Sequence, residues 1–117
     1  MVWRVDFAPG AERDFGVILE HLTETYLALG DAPASAVGRA IERVQGIKAQ
    51  AERLGNAPGV GAARDDIGEG LRHVAFERAI YWFTVDAGTR VVTVLAVFLA
   101  GEDHHRKMAA RLRRGRP

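Results

Sequence analysis

The strongest constraint in the sequence is an apolar run at residues 91–100, which contains no charged side chain. A run this uninterrupted is typical of a strand whose two faces are both largely covered. Two shorter strand-like segments precede it, at residues 71–76 and 79–85, and the short connections predict an antiparallel meander. The run ends at a dense group of ionisable side chains, residues 101–107. We therefore expect the chemistry of the protein to lie where this strand ends.

The N-terminal half predicts one strand and two helices. Residues 3–7 alternate in the manner of a half-buried strand. Apolar side chains then recur at helical spacing over residues 15–29, and a second such stripe covers residues 37–54. Because the link between them is short, the two helices are expected to form an antiparallel hairpin.

This order of elements predicts an α+β fold in a single domain, residues 1–117, with the hairpin over one face of a sheet. The first strand must join the later three, since a lone strand leaves its backbone polar groups unpaired. The expected sheet is therefore four-stranded and antiparallel, and its opposite face is free for a partner. Asp103 is expected to cap a short closing helix with Met108 and Leu112 on its buried side, and residues 113–117 to fray.

Composition narrows the class of protein. The sequence has no cysteine, which excludes a disulfide framework and Cys-based zinc sites. Its N-terminus lacks the apolar segment of a signal peptide, and no window approaches the ~20 apolar residues of a membrane span. We therefore expect a cytoplasmic protein with no membrane contact and no cofactor. We also expect no metal site, because no further Cys or His cluster accompanies the pair His104 and His105.

Charge is distributed unevenly along the chain. The formal net charge is only +1, but six of the 16 basic residues lie in residues 106–116 and none of the 15 acidic ones does. Residues 1–105 therefore carry 10 basic against 15 acidic residues, a formal charge of −5. This asymmetry indicates an anionic partner or an acidic neighbouring surface. A solvated tail with no specific role is the alternative.

Several short segments, taken in order, resemble the ParE/RelE toxins of type II toxin–antitoxin systems. Pro9, Ala11 and Asp14 match the recurring residues at the junction of the first strand and first helix, and residues 94–108 are similar to the last strand and tail. Further matches are Ala36, Leu54, Pro58, Gly61, Gly70, Leu71, Arg72, Ile80 and Tyr81. The resemblance covers nearly the whole chain. It implies a cytoplasmic toxin held inactive in a complex with a cognate antitoxin.

The family has two mechanisms. RelE-like members cleave mRNA on the ribosome, whereas ParE-like members bind DNA gyrase and stall it. RelE-like enzymes carry several Lys and Arg along the sheet, and residues 91–100 here carry none. This favours a ParE-like gyrase inhibitor that is not an enzyme. The alternatives are a RelE-like, metal-independent endoribonuclease and an inactive relative that retains only antitoxin binding.

The ribonuclease alternative needs an acid or base and cations around the phosphate. We predict His104 in the first role, since imidazole titrates near neutrality, and Arg72 and Arg106 in the second. His105 diverges from His104 by about 100° on a helix, so both cannot face one phosphate. Arg72 could instead form a salt bridge with an acidic residue at positions 65, 66 or 69.

A second set of residues is predicted to contact the antitoxin or the target. Its members lie in the strand at residues 79–85, in the connection before it or in the basic C-terminal segment, and they are Tyr81, Trp82, Arg78, Arg106, Lys107 and Arg111. Tyr81 and Trp82 are adjacent in a strand and point to opposite faces of the sheet. One of the two must therefore belong to the core.

Overall fold

A computed structural model describes residues 2–115 and confirms the α+β class. The elements in chain order are β1 (Arg4–Phe7), α1 (Pro9–Ala28), α2 (Pro33–Gln50), α3 (Arg53–Asn56), β2 (Ala62–Ala63), β3 (Arg72–Phe76), β4 (Ala79–Asp86), β5 (Val91–Leu99) and α4 (His104–Arg113). The strands of this region form one five-stranded sheet in the order β1-β5-β4-β3-β2. α1 and α2 are the predicted hairpin, and β3, β4 and β5 are the predicted antiparallel meander.

The predicted sheet needs two corrections. β1 pairs with β5 in parallel, from Arg4 opposite Val91 to Phe7 opposite Val94. Parallel neighbours need a long crossover connection, and here the helices and the rest of the sheet supply it. The second correction is β2, a two-residue strand where no strand was predicted, which pairs antiparallel with β3 and adds a fifth strand.

A β-bulge in β5 explains how this strand packs on both sides. Ala96 lies opposite Trp82 and Val94 opposite Phe83, so Leu95 is an extra residue between them. A bulge of this kind shifts the side-chain alternation by one position. Residues 92 and 94 before it, and 97 and 99 after it, consequently all contact the helix-side core.

That core lies between the sheet and the α1–α2 hairpin. It contains the alternate side chains of the predicted strands together with one face of each helix. Its buried members include Phe15, Ile18, Ile47, Leu54, Tyr81, Phe83, Val92, Val94 and Val97, and Trp3, Val5 and Phe7 pack against its edge. The predicted burial of alternate positions in the first strand is thus confirmed.

α4 covers the opposite face of the sheet. Its Met108 is wholly buried against a second apolar cluster that contains Leu71, Ile80, Trp82, Ala96 and Phe98, with Leu112 packed at the margin. Asp103 caps the helix, as predicted, by accepting a hydrogen bond from the Arg106 N–H. Both faces are therefore covered by the chain's own elements. The expected free face must be corrected, because the closing helix lies across it.

Side chains rather than a strand cover the outer edge of β5 beyond β1. The last backbone bond on that side runs from the Ala8 N–H to the Val94 carbonyl, at 2.8 Å. Further along, the Val97 N–H donates to the Asp14 carboxylate at 2.9 Å, and the Leu99 N–H donates to Glu102 at 2.7 Å. Carboxylates thereby satisfy edge groups that would otherwise lack partners.

Each of these carboxylates also binds a cation of α4. Arg111 donates two bonds of 2.9 Å to Asp14, and Lys107 donates one of 2.6 Å to Glu102. We call these pairs the carboxylate bridges. They connect α4 to α1 and to the edge of β5, so the position of α4 depends on polar contacts as well as on Met108.

The predicted frayed tail is described only in part. Arg113 is the last residue of α4, and the N–H groups of Arg114 and Gly115 donate to carbonyls of its last turn. Arg116 and Pro117 lie outside the described residues.

Candidate functional site

Three histidines meet on the sheet face that α4 covers. The ring centroids of His104 and His105 are 4.1 Å apart, and His73 lies 5.4 Å from the first and 5.0 Å from the second. We call His73, His104 and His105 the histidine cluster. Its floor is Trp82, whose ring centroid is 4.6 Å from that of His73.

Two elements bring the cluster together. His73 lies in β3 directly opposite Trp82 in β4, so both side chains share one face of the sheet. His104 and His105 are the first two residues of α4, immediately after the capping Asp103. The cap places the beginning of the helix above the β3–β4 pair, at the place where the ionisable group after β5 was expected to act.

The hydrogen bonds of the cluster define its protonation state. The Trp82 indole N–H donates to His104 Nδ1 at 3.2 Å, and the Arg64 guanidinium contacts His105 Nδ1. Indole and guanidinium groups can only donate. Both Nδ1 atoms must therefore be unprotonated, and the proton of each neutral ring lies on Nε2.

Electrostatics favour the same state. Burial lowers the pKa of His104 and of His73, and the neighbouring histidines and Arg64 lower both further. Asp103 and Glu102 oppose the effect at His104 without cancelling it. Both shifts favour the neutral imidazole of His73 and of His104 at neutral pH.

This arrangement limits what His104 can do chemically. A general base needs a free lone pair, and the one on His104 Nδ1 already accepts the Trp82 bond. A general acid needs a proton to give, and a lowered pKa leaves little of the charged form near pH 7. His104 therefore acts as a packing and hydrogen-bonding residue in the described conformation.

The two arginines of the predicted catalytic set are bound elsewhere. The Arg72 guanidinium donates to the carbonyls of three successive loop residues, at 2.7 to 3.2 Å; these are Gly59, Val60 and Gly61. These carbonyls, and not the alternative salt bridge to Asp65, Asp66 or Glu69, fix the position of the Arg72 guanidinium. Arg106 is mostly exposed and pairs with Asp103 at 2.9 Å. Arg72, His104 and Arg106 thus each bind a different group of the chain itself.

Comparisons with known proteins were informative only at the level of structure. No protein-family profile and no curated protein sequence matches the chain. A chain of the chromosomal ParDE toxin–antitoxin system from P. aeruginosa superposes with a TM-score of 0.62 at 22% identity, covering 85% of this chain and 97% of that one. The chain has the ParE/RelE toxin fold. The E. coli toxin RelE, an arginine double mutant in the free state, superposes with a TM-score of 0.58 at 12% identity, covering 96% and 98%.

Within this ParE/RelE fold, both predicted aromatic contacts belong to the core. Tyr81 is fully buried on the helix side, where its hydroxyl donates to the Ile47 carbonyl at 2.6 Å and burial raises its pKa to about 12. Trp82 is fully buried on the other side beneath the histidine cluster. The two do point to opposite faces, but neither can touch a partner in the described conformation.

The predicted basic contacts divide into two groups. Arg78, Arg106 and Lys107 are exposed and remain accessible to a partner. Arg111 is not, because its side chain is only 19% exposed and its guanidinium is engaged by Asp14. Of the predicted basic contacts, Arg78, Arg106 and Lys107 are therefore the ones that a partner can reach.

Sequence reasoning missed His73 and Arg64. The hairpin register could have located His73. The two-residue connection at 77–78 places Phe76 opposite Ala79, and the same antiparallel register places His73 opposite Trp82. For Arg64 there was none, since it lies in a segment without periodicity. Within residues 2–115, no group of His, Asp and Glu is arranged to hold a metal ion. No helix in that part of the chain has the length and apolar character needed to cross a membrane.

Proposed function

We propose that this chain is the toxin of a type II toxin–antitoxin system, neutralised by a cognate antitoxin in a hetero-oligomer. We further propose that the free toxin acts in the cytoplasm in the ParE-like manner, by binding DNA gyrase and not by cleaving RNA. The likeness to a chain of a ParDE system supports the first part. The state of the candidate catalytic residues supports the second.

The observation that carries the gyrase proposal is the commitment of Arg72 to the chain itself. Stabilising a phosphorane-like transition state requires donors that already point at the place where charge develops. Arg72 instead points at three loop carbonyls. Arg106 and Lys107 form ion pairs at the surface, and together with Arg78 they remain accessible to a protein or DNA partner.

One observation favours the ribonuclease as a second candidate. The histidine cluster brings three imidazoles and the Arg64 guanidinium together at the start of α4. If the chain cleaves RNA, His73 is the best-placed group, because no protein donor among the described residues occupies either of its ring nitrogens. An inactive relative that only binds an antitoxin is the third candidate.

Expression of the chain alone in a bacterium separates the three. We expect growth arrest with induction of the DNA-damage response, intact mRNA, and inhibition of supercoiling by purified gyrase. Arrest with rapid mRNA cleavage at ribosomes would instead establish the ribonuclease. Unchanged growth, with soluble protein confirmed, would contradict both toxin proposals.

Matched histidine variants sharpen this test. His73→Gln and His104→Gln should leave toxicity intact if the target is gyrase, as should His21→Gln, an exposed control on α1. Loss of toxicity in the first two variants alone, with folding checked by circular dichroism, would refute the gyrase proposal in favour of RNA cleavage.

Neutralisation needs its own experiment. Co-expression with the small protein encoded beside this gene should restore growth, and the two proteins should co-purify. If toxicity is observed and no neighbouring gene product suppresses it, the antitoxin part of the proposal fails while the toxin part stands.

A further inference from the structure

We propose that mildly acidic pH releases the first turn of α4 from the sheet, because His104 must be neutral in order to accept the Trp82 hydrogen bond that docks this turn. The inference does not depend on the proposed toxin function. It concerns a conformational device that uncovers Trp82 and the sheet face around it.

The docked position of His104 depends on its Nδ1 atom. His104 Nδ1 accepts from the Trp82 N–H, whereas the exposed His105 contacts the Arg64 guanidinium through Nδ1 and can turn toward solvent. Protonating His104 would place an N–H against the indole N–H, which can only donate. The Trp82 bond and protonation of His104 Nδ1 therefore exclude each other.

The surrounding charges act in the same direction on balance. Four elements face the cluster: the segment with Arg64 and Asp66, β3 with His73, β4 with Trp82, and the turn with Glu102 and Asp103 before α4. The three carboxylates among them would attract a proton, but each is already bound to a cation: Asp66 to Arg64, Glu102 to Lys107 and Asp103 to Arg106. Burial lowers the pKa of His104 and of His73. His104 is the first residue of α4, where the positive end of the helix dipole disfavours a protonated imidazole.

The second half of α4 is held by contacts that contain no histidine. Met108 is wholly buried, and Arg111 is bound twice by Asp14. We therefore expect opening to be confined to the first turn, with the remainder of the fold intact.

The sign of the pH effect follows from linkage. A histidine whose pKa is lowered in the docked state is neutral in both states well above its ordinary value of ~6.5, so docking is fully stable there. Below that value the released His104 takes up a proton more readily than the docked one. Between pH 7.5 and 5.5 this raises the ratio of open to docked helix by up to about tenfold.

Amide hydrogen exchange on the full chain measures this ratio directly. The probes are the amides of Met108 and Ala109, whose helical acceptors are the carbonyls of His104 and His105. After correction for intrinsic exchange rates, their opening constant should rise several-fold, up to about tenfold, from pH 7.5 to 5.5, while that of the β4 amides stays nearly constant. In a Trp3→Phe background, Trp82 fluorescence should become accessible to iodide over the same range.

Three variants keep the proposal falsifiable. The double variant His104→Gln/His105→Gln should lose the pH dependence, whereas His21→Gln, an exposed histidine outside the cluster, should retain it. His73→Gln leaves both Nδ1 contacts in place, so it should also retain most of the effect, and it serves if the double variant does not fold. Equal opening at both pH values, an equal rise in β4, loss of the effect in His73→Gln, or persistence of the effect in a folded double variant would each overturn the proposal.

Discussion

Replacing Asp14 with alanine is expected to destabilise the protein by about 3 kcal/mol. The carboxylate accepts three hydrogen bonds, one from the Val97 N–H and two from Arg111, so it connects α1, the edge of β5 and α4. Orphaning a buried N–H costs ~1–3 kcal/mol. Removing one partner of a buried ion pair costs ~3–5 kcal/mol. The lower end applies here, because the Arg111 side chain keeps 19% of its surface in solvent and can turn toward water.

A double-mutant cycle resolves that cost into its parts. Arg111→Met should cost only about 1.5 kcal/mol, since methionine replaces the apolar stem and Asp14 still accepts the Val97 bond. The double variant Asp14→Ala/Arg111→Met should then be no worse than Asp14→Ala alone, which gives a coupling of about 1.5 kcal/mol between the two residues.

Urea unfolding with a shared m value provides the measurement. Arg13→Ala is the matched control, because it removes an exposed arginine one position before Asp14 and should change stability by less than about 0.5 kcal/mol. A loss below about 1 kcal/mol in Asp14→Ala, or a coupling below about 0.5 kcal/mol, would refute the reasoning that this side chain joins three elements.

Further predictions concern the loop, the core and α2. Gly61 has φ +85° and a Cβ there would overlap the backbone of β3, so Gly61→Ala should cost at least about 2 kcal/mol in chemical unfolding. Gly38→Ala in α2, where nothing lies nearby, should instead stabilise by about 0.5–1 kcal/mol in the same assay. Tyr81→Phe should cost about 1 kcal/mol through loss of its hydrogen bond. Because an unfolded tyrosine ionises near pH ~10 and Tyr81 at about 12, wild-type stability should fall as pH rises above ~10, and urea midpoints from about pH 9 to 11 should show a weaker fall in the phenylalanine variant. Arg72→Lys should cost about 1–2 kcal/mol and speed amide exchange in the loop, since an ammonium cannot reproduce the guanidinium fork.

Most elements were predictable because their signals are local. Alternation at residues 3–7 and the helical stripes in α1 and α2 depend on which side chains can share one buried face. The fold buries most of those faces, although Leu29, Val37 and Ile41, which the stripes included, are exposed. The direction of β1 was not predictable in this way, since alternation is the same in parallel and antiparallel strands. β2 carries no pattern at all, because two exposed alanines bury nothing.

The position of α4 shows a different limit. Met108 and Leu112 indicated that the closing helix has a buried side, but not which surface it covers. The uninterrupted apolar strand at residues 91–99 did indicate that both sheet faces are covered. That signal was a better guide than the expectation of a free face for a partner. Because of the bulge at Leu95, side chains of this one strand pack into the apolar clusters on both faces of the sheet.

The candidate catalytic set could be selected from the sequence by chemistry but not by geometry. Arg72 binds loop carbonyls whose positions depend on a segment rich in Gly and Pro, where no periodicity constrains the path. His73 was overlooked because it stands alone in its strand, although the hairpin register places it against Trp82. Strand pairing, which sequence can supply, locates such neighbours better than residue type does.

The carboxylate bridges have a consequence for the protein in concentrated solution. If α4 lifts away and Glu102 moves with it, the Leu99 N–H loses its acceptor at the same time as the apolar surface around Trp82 is exposed to water, while Asp14 in α1 still accepts from Val97. An unguarded strand margin beside a bare apolar patch is a template for self-association. By holding α4 against the sheet, the carboxylate bridges therefore also limit self-association of the chain.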